Sequence, residues 1–171
     1  MRYFAICVFA FIPSLVSAGQ HLTPRPLDPV AAEAFAHAVE QSATARRLVE
    51  RLESSNVIVH IQSSRGLPLG LSGMTRFVAS RGGFRYLRIT INVDLPYRAR
   101  TAILAHELQH ACEVADSDAD DAEGLREVFE HQGHRSGNFF ETTAAIATER
   151  NVRLELRTDR LQAEPVVKFD H

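Results

Sequence analysis

Two histidines four residues apart, with a glutamate directly after the first, stand out in the stretch 101–114, where they are His106, Glu107 and His110. On a helix, at about 100° per residue, positions four apart lie about 40° from each other around the axis, so both imidazoles can bind one ion. Glu107 lies at the edge of the same stripe, within reach of a metal-bound water but offset from the metal. This spacing predicts a metal-dependent hydrolytic site with His106 and His110 as ligands and Glu107 as the general base.

The helix that must carry these residues begins after Asp94 and Pro96, both helix-start signals, and the pattern stays helical from Tyr97 through about Ala115. A core-facing stripe lies on the side opposite the histidines and consists of Leu104, Leu108, Ala111 and Ala115. The helix is therefore expected to pack on a core and to present its histidines to a cleft beside a sheet.

The pentapeptide His106-Glu107-Leu108-Gln109-His110 resembles the active-site helix of the zincin metallopeptidases, and only residues 101–114 match specifically. The order of helix, strands, active-site helix and later ligand-bearing helix is similar more loosely over about residues 42–156. This resemblance implies one Zn²⁺ held by the two histidines, Glu107 as base and hydrolysis of peptide bonds. Because the glycine and histidine that follow in the metzincin branch are missing here, the third ligand must come from elsewhere.

Four residues are candidates for that third ligand: Glu113, His131, His134 and Glu141. Glu113 shares the histidine stripe, but at 1.5 Å per residue it lies about 10 Å along the axis from His106, so we expect it beside the site or in solvent. Glu141 resembles the downstream glutamate of gluzincins and is our preferred ligand. The two histidines remain alternatives because about thirty residues separate His110 from Glu141, more than in the thermolysin-like pattern. An exposed acid in the first turn of a helix is the competing interpretation of Glu141.

The remaining patterns predict an α+β fold. It has a small antiparallel or mixed sheet packed on the active-site helix and on a C-terminal helix that carries the third ligand. The expected elements are a helix over 28–53 broken near Ser42, strands over 56–62, 74–80 and 84–93 with a glycine hairpin at 81–83, a short helix over 122–130, a loop over 131–138 and a last helix over 139–156. Residues 19–171 are expected to form one domain, with 158–171 as a candidate disordered tail.

Residues 1–18 have a basic start at Arg2, an apolar run and a Val16-Ser17-Ala18 end, which predicts a secretory signal cleaved near Ala18/Gly19 and an exported protein, periplasmic or secreted. The run is too short for a favoured membrane span, and no later stretch is long enough. The formal net charge of −2, or −3 without Arg2, argues against a nucleic-acid or anionic-membrane binder. Peptides or proteins are therefore the expected partners.

Three other features have a simple structural interpretation that we prefer. Cys112, the only cysteine after signal removal, is expected to be a small buried group rather than a ligand or nucleophile. The acidic run over 116–127 has a spacing similar to a calcium loop, but Asp121 stands where that loop needs glycine, so helix capping is favoured. A basic hairpin is expected to be a solvated sheet face rather than a binding surface, and its arginines are Arg76, Arg81, Arg85 and Arg88.

Catalysis would also need an oxyanion donor and a place for the substrate. Four residues are candidates for the donor: Tyr86, Tyr97, His134 and Arg135. An extended peptide could add to the strand over 84–93. Two other classes of function remain open, namely a metal-binding or structural exported domain without turnover, and an exported interaction protein whose histidine pair is coincidental.

Overall fold

The computed structural model describes residues 24–136 and 139–163, so the predicted signal over 1–18 lies outside the described residues. Helices and strands are mixed along the chain, which confirms the α+β class. The elements are β1 (Arg25–Pro26), α1 (Pro29–Gln41), α2 (Ala43–Glu53), β2 (Val57–Ser64), β3 (Gly73–Arg81), β4 (Phe84–Asn92), α3 (Tyr97–Ala115), α4 (Ala122–Gln132), β5 (Gly133–Ser136), β6 (Phe139–Thr142) and α5 (Thr143–Ala163). None of the described helices is long and apolar enough to cross a bilayer.

The main sheet is mixed, with the strand order β1-β2-β4-β3. Strands β1, β2 and β4 run parallel to one another, and β3 is antiparallel to β4. The predicted glycine hairpin joins β3 to β4, with φ values of 61° at Gly82 and 78° at Gly83 that favour glycine. A second, two-stranded sheet pairs β5 with β6.

The expectation that a peptide could pair with the strand over 84–93 is wrong. That strand is β4, which is hydrogen-bonded to β2 on one side and to β3 on the other, so it has no free edge. A hairpin pattern shows that two strands pair, but not which of them receives a third strand. Here β2 crosses over to pair with β4, and β3 becomes an edge strand of the sheet.

The hydrophobic core lies between one face of this sheet and the helices. Alternate residues of the two central strands point into it, as their period-2 pattern predicts. Helix α3 packs its apolar stripe on the same core. The fully buried side chains include Val57, Val59, Ile61, Leu87, Ile89 and Ile91 of the strands and Leu104, Leu108 and Ala111 of α3.

The break predicted near Ser42 is confirmed, because this residue ends α1 and caps α2. Its hydroxyl accepts a 3.0 Å hydrogen bond from the backbone N–H of Ala45. The cap of α1 is Asp28, whose carboxylate accepts from the backbone of Ala31 at 2.9 Å and from that of Ser63 on β2 at 2.6 Å. The two caps therefore fix where the helices begin and tie α1 to the sheet.

The C-terminal third differs from the expected loop over 131–138 and helix over 139–156. Strands β5 and β6 occupy most of 133–142, and α5 begins only at Thr143. The Thr142 hydroxyl accepts a 3.1 Å hydrogen bond from the backbone N–H of Ala145, which caps α5 and ends the strand. Helix α5 continues to Ala163, so residues 158–163 of the candidate tail are helical, and 164–171 lie outside the described residues.

Candidate metal centre

Helix α3 places His106 and His110 side by side on one stripe, as their spacing predicts. Their ring centroids are 4.8 Å apart, and the two Nε2 atoms face each other at 3.1 Å. Both residues are buried, with relative exposures of 6% and 5%. The Nε2 atoms of both imidazoles therefore face the same small space.

Glu141 is the third member of this group. Its Oε2 lies 3.0 Å from Nε2 of His106, and one ligand atom from each of the three residues lies within 4.8 Å of the others. The same Oε2 is buried without a hydrogen bond of good geometry to any described residue. A buried carboxylate oxygen needs such a partner, and a cation bound between the three residues would provide one. We call His106, His110 and Glu141 the triad.

The position of Glu141 corrects one expectation. This residue lies on strand β6, not on a C-terminal helix, so the segment that brings it to α3 is a short hairpin. The aromatic and β-branched residues of Phe139–Thr142 fit a strand better than a helix start. Helix α5 still contributes to the centre, but through Glu149.

Carboxylates hold the far side of both imidazoles. Nδ1 of His110 lies 2.8 Å from Oε2 of Glu113, and Nδ1 of His106 lies 3.3 Å from Oε2 of Glu149. Such contacts orient an imidazole and make its other nitrogen a better metal ligand. Glu113 therefore lies beside the centre, in agreement with the axial-distance argument. Glu149 was missed, because no local pattern links a position on α5 to a histidine on α3.

These charges also govern protonation at the triad when no cation is bound. Burial disfavours the imidazolium of His106, but the close carboxylates of Glu141 and Glu149 outweigh this effect and raise the pKa of His106 to about 10. The contact with Nε2 of His106 holds the pKa of Glu141 below its usual range, and the contact with Nδ1 of the same imidazole lowers the pKa of Glu149. A metal ion must therefore displace a proton from His106.

The predicted base, Glu107, is buried between α3 and β3. Its relative exposure is 5%, and the Thr75 hydroxyl donates a 2.7 Å hydrogen bond to its Oε2. Burial raises the pKa of Glu107, while the neighbouring His110 and His106 and the hydrogen bond from Thr75 oppose that rise. A carboxylate whose pKa is raised in this way is a stronger base.

Gly73 leaves the room that Glu107 occupies. A Cβ atom at position 73 would lie 2.6 Å from Oε1 of Glu107 and 2.7 Å from Cγ2 of Ile103, closer than such atoms approach. Sequence reasoning did not select Gly73. The signal was a glycine at the start of a strand, which often marks a close approach of the backbone to another group.

A cleft opens beside Glu107 and the triad. A cavity of about 160 Å³ is lined in part by Gly73, Thr75, Glu107, His110 and Glu141. An adjoining groove of about 320 Å³ runs between β3 and α4 and shares part of its lining with the cavity. We call it the edge groove, and it is lined by Thr75, Arg76, Phe77, Ala122, Leu125, Arg126, Phe129 and Phe140.

Most of the other candidate residues lie elsewhere. Tyr97 packs against His37 in the first turn of α3. Tyr86 alternates with the core residue Leu87 and so points away from α3. Neither tyrosine lines the cavity beside Glu107, where an oxyanion donor is needed. His131 is exposed in the last turn of α4 and is not part of the triad. His134 lies opposite Glu141 in the β5–β6 register, but its side chain and that of Arg135 lie outside the described part.

The structural interpretations of Cys112 and the acidic run are both confirmed. Burial raises the pKa of Cys112 to about 12, and its thiol donates to the carbonyl of Leu48, so it is a small buried group in the protonated form. Asp121 caps α4, since its side chain accepts a 2.7 Å hydrogen bond from the backbone N–H of Gly124.

The sequence pattern predicts a solvated arginine at position 85, and this prediction is wrong. Arg85 is 7% exposed and donates to the carbonyl oxygens of Val114 and Ser117 at 2.8 Å and 2.6 Å. It therefore caps the C-terminal end of α3 from the sheet, where a cation is favourable.

No protein-family model matches this sequence, and comparisons with curated proteins and with solved structures found no similar protein. The function must therefore be argued from the site itself.

Proposed function

We propose that this protein is an exported zinc-dependent peptidase of the zincin type, in which His106, His110 and Glu141 hold one Zn²⁺ and Glu107 is the general base. The observation that carries the proposal is the arrangement around the base. A buried carboxylate with a raised pKa lies beside three convergent ligand atoms, at the wall of a cleft. A purely structural metal site would need neither the base nor the cleft.

The donor set supports zinc in particular. Two imidazole nitrogens and one carboxylate oxygen leave the fourth tetrahedral position open, as in catalytic zinc sites. With metal–ligand bonds of about 2.0–2.1 Å, neighbouring ligand atoms of a tetrahedron are about 3.3 Å apart. Two of the three separations, 3.1 Å between the histidines and 3.0 Å between His106 and Glu141, are close to this value, and all three ligand atoms lie within 4.8 Å of one another.

Zinc bound at the triad would supply a Lewis acid for a carbonyl group and would lower the pKa of a coordinated water. Glu107 accepts the proton of the attacking water and returns it to the leaving amine. Thr75 keeps one carboxylate oxygen of Glu107 in place through its hydroxyl, and Gly73 leaves space for the other.

The cleft favours a peptide over a small substrate. It lies along β3, an edge strand whose outer hydrogen-bonding side has no partner strand in the described sheet. An extended peptide can add to such an edge through main-chain hydrogen bonds, which present its peptide bonds in a regular row. The apolar residues of the edge groove would take a side chain of that peptide, with Phe129 and Phe140 shared between cavity and groove.

The test uses the mature protein, residues 19–171, loaded with zinc and freed of excess metal. We expect one zinc per chain by elemental analysis and cleavage of a mixed peptide library detected by mass spectrometry. Glu107→Gln should retain zinc and lose at least about 100-fold in turnover, because it removes the base and leaves the ligands. His110→Ala should lose both zinc and turnover.

The competing functions give different results in the same experiment. A metal-binding or structural domain would bind zinc stoichiometrically but cleave no peptide. An interaction protein with a coincidental histidine pair would bind no zinc above the level of His110→Ala, and that outcome would reject the peptidase as well.

A further inference from the structure

The face of the sheet opposite α3 carries one basic or imidazole side chain from each strand. Arg25 pairs with His60, His60 with Arg88, and Arg88 with Arg76 in the strand registers. Directly paired residues point to the same face, and the neighbours of Arg88 at positions 87 and 89 are buried on the α3 side. We call Arg25, His60, Arg88 and Arg76 the cationic row.

No acid neutralises this row within the described residues. The sequence contains neither Asp nor Glu from position 54 to position 93. Two nearby arginines have partners, since Arg65 pairs with Asp94 and Arg85 donates to backbone carbonyls. Arg76 and Arg88 make no ion pair with a described residue. Like charges directly opposite each other destabilise a sheet. An anionic group bound to the row would relieve that repulsion.

The row ends at β3, the edge strand of the described sheet, beside the proposed catalytic cleft. Arg76 is on β3, and the regular ladder of this strand extends from Gly73 to Phe77 before a bulge. Along this stretch the side chains alternate, so that Thr75 contacts Glu107 while Arg76 is exposed on the other face. Two consecutive residues of β3 therefore face the two spaces, with Thr75 at the cleft and Arg76 in the cationic row.

A groove on the outer face is already shaped around the two arginines. It has a volume of about 440 Å³ and is lined by Arg76 and Arg88 together with Gln62, Leu67, Met74 and Thr90, among others. Met74 lines both this groove and the cavity beside Glu107. A strand added to β3 would thus contact both spaces.

We infer that the preferred substrate is an extended peptide with Asp or Glu at the position that pairs with Arg76. The next residue of that peptide lies beside Thr75 and Glu107. This inference rests on the proposed function. A peptide residue opposite Arg76 becomes the fifth member of the row, whichever direction the peptide runs. Its carboxylate can accept two parallel hydrogen bonds from the Arg76 guanidinium, with Arg88 adding a second positive charge.

The experiment compares peptides that differ only by Glu or Gln at one position, scanned through three residues on either side of a bond that the zinc-loaded protein cleaves. At one position we expect Glu to raise kcat/KM about tenfold over Gln, as for a charged pair at a partly exposed site. Arg76→Gln should reduce that ratio to about one. Arg81→Gln removes an exposed arginine of the same hairpin that is outside the row, and it should keep the ratio near ten.

A binding measurement separates this inference from the proposed function. Fluorescence anisotropy of the same labelled peptides with zinc-loaded Glu107→Gln should show tighter binding of the Glu peptide at that position. Equal binding and equal turnover of the Glu and Gln peptides would overturn the inference. Tighter Glu binding without turnover by the unmodified protein would instead reject the peptidase and leave the acidic-strand site in place.

An anionic lipid surface is the other chemistry that could match the row. The test is co-sedimentation of the protein and of Arg76→Gln with phosphatidylglycerol vesicles. If the protein binds the vesicles, Arg76→Gln does not, and the Glu and Gln peptides bind equally, the inference is overturned in favour of a membrane contact.

Discussion

The Thr142 hydroxyl donates a 2.6 Å hydrogen bond to Oε1 of Glu113, which ties the strand that carries Glu141 to the helix that carries His106 and His110. The other oxygen of Glu113 contacts Nδ1 of His110. Thr142 directly follows Glu141 in the chain. The contacts from Thr142 to Glu113 and from Glu113 to His110 therefore set the position of the Glu141 carboxylate relative to the His110 imidazole. Metal affinity should therefore depend on residues that never touch the ion.

Removal of the Thr142 hydroxyl should weaken zinc binding. We expect Thr142→Val to lower zinc affinity about tenfold, since contacts of this kind typically contribute 10–100-fold. The substitution also removes the cap of α5, at a cost of about 1 kcal/mol in the free energy of unfolding. Competition with a chromophoric chelator measures the affinity. Thr142→Ser, which retains the hydroxyl, is the matched control, and equal weakening by both variants would contradict the role of the hydroxyl.

Glu149 should matter for the metal although it is not a ligand. Its contact with Nδ1 of His106 favours the ring orientation in which Nε2 faces the other two members of the triad, His110 and Glu141. Glu149→Gln is expected to lower zinc affinity about 10–100-fold with little change in secondary structure by circular dichroism. The exposed Glu50 on α2 provides a control, since Glu50→Gln should leave the affinity unaltered. Normal zinc binding by Glu149→Gln would show that the imidazole is oriented without it.

The metal-free protein should lose stability as the pH rises from neutrality. The pKa of His106 is raised to about 10 in the folded state, so its stabilising effect is complete below the unfolded value of about 6.5 and lost as pH rises through 10. Urea unfolding of the metal-free protein at pH 7 and pH 9 measures the change. His106→Gln should have a flatter profile over this range, and an equally steep one would assign the effect to another group.

The same raised pKa predicts proton release when zinc binds. At pH 7 His106 is protonated in the metal-free protein, so binding of one zinc should release about one proton from this residue. Titration calorimetry in two buffers of different ionisation enthalpy gives the number directly. Zinc binding without net proton release would show that His106 is neutral before the metal arrives.

A side chain at position 73 should damage the base selectively. In Gly73→Ala the new methyl would meet Glu107 and Ile103 at under 3.0 Å, so the carboxylate must move. Because kcat depends on the position of the base, we expect it to fall at least about 100-fold with zinc still bound. Gly82→Ala is the control at the hairpin turn. A Cβ atom there would meet no atom within 4 Å, so this variant measures only the cost of placing alanine at a positive φ. Full turnover by Gly73→Ala would mean that Glu107 is not held where the structure places it.

Local patterns were sufficient where one element determines the outcome. Helical geometry alone puts His106 and His110 on one stripe, and the Ser42 cap and the glycine hairpin are short-range signals that the structure confirms. The preference for Glu141 over His131 as third ligand agrees with the convergence of the three side chains, although the sequence pattern predicts a helix where the structure has a strand.

The tertiary structure decided what depends on contacts between distant elements. Packing of α3 against α5 brings Glu149 to His106, and packing of α3 against β3 makes Gly73 indispensable to Glu107. Strand order exposes the edge of β3 rather than β4 and aligns Arg25, His60, Arg88 and Arg76 in one row. Periodicity along a chain specifies which way a side chain points within its own element. The partner it meets is set by packing and register between elements, and no local spacing encodes them.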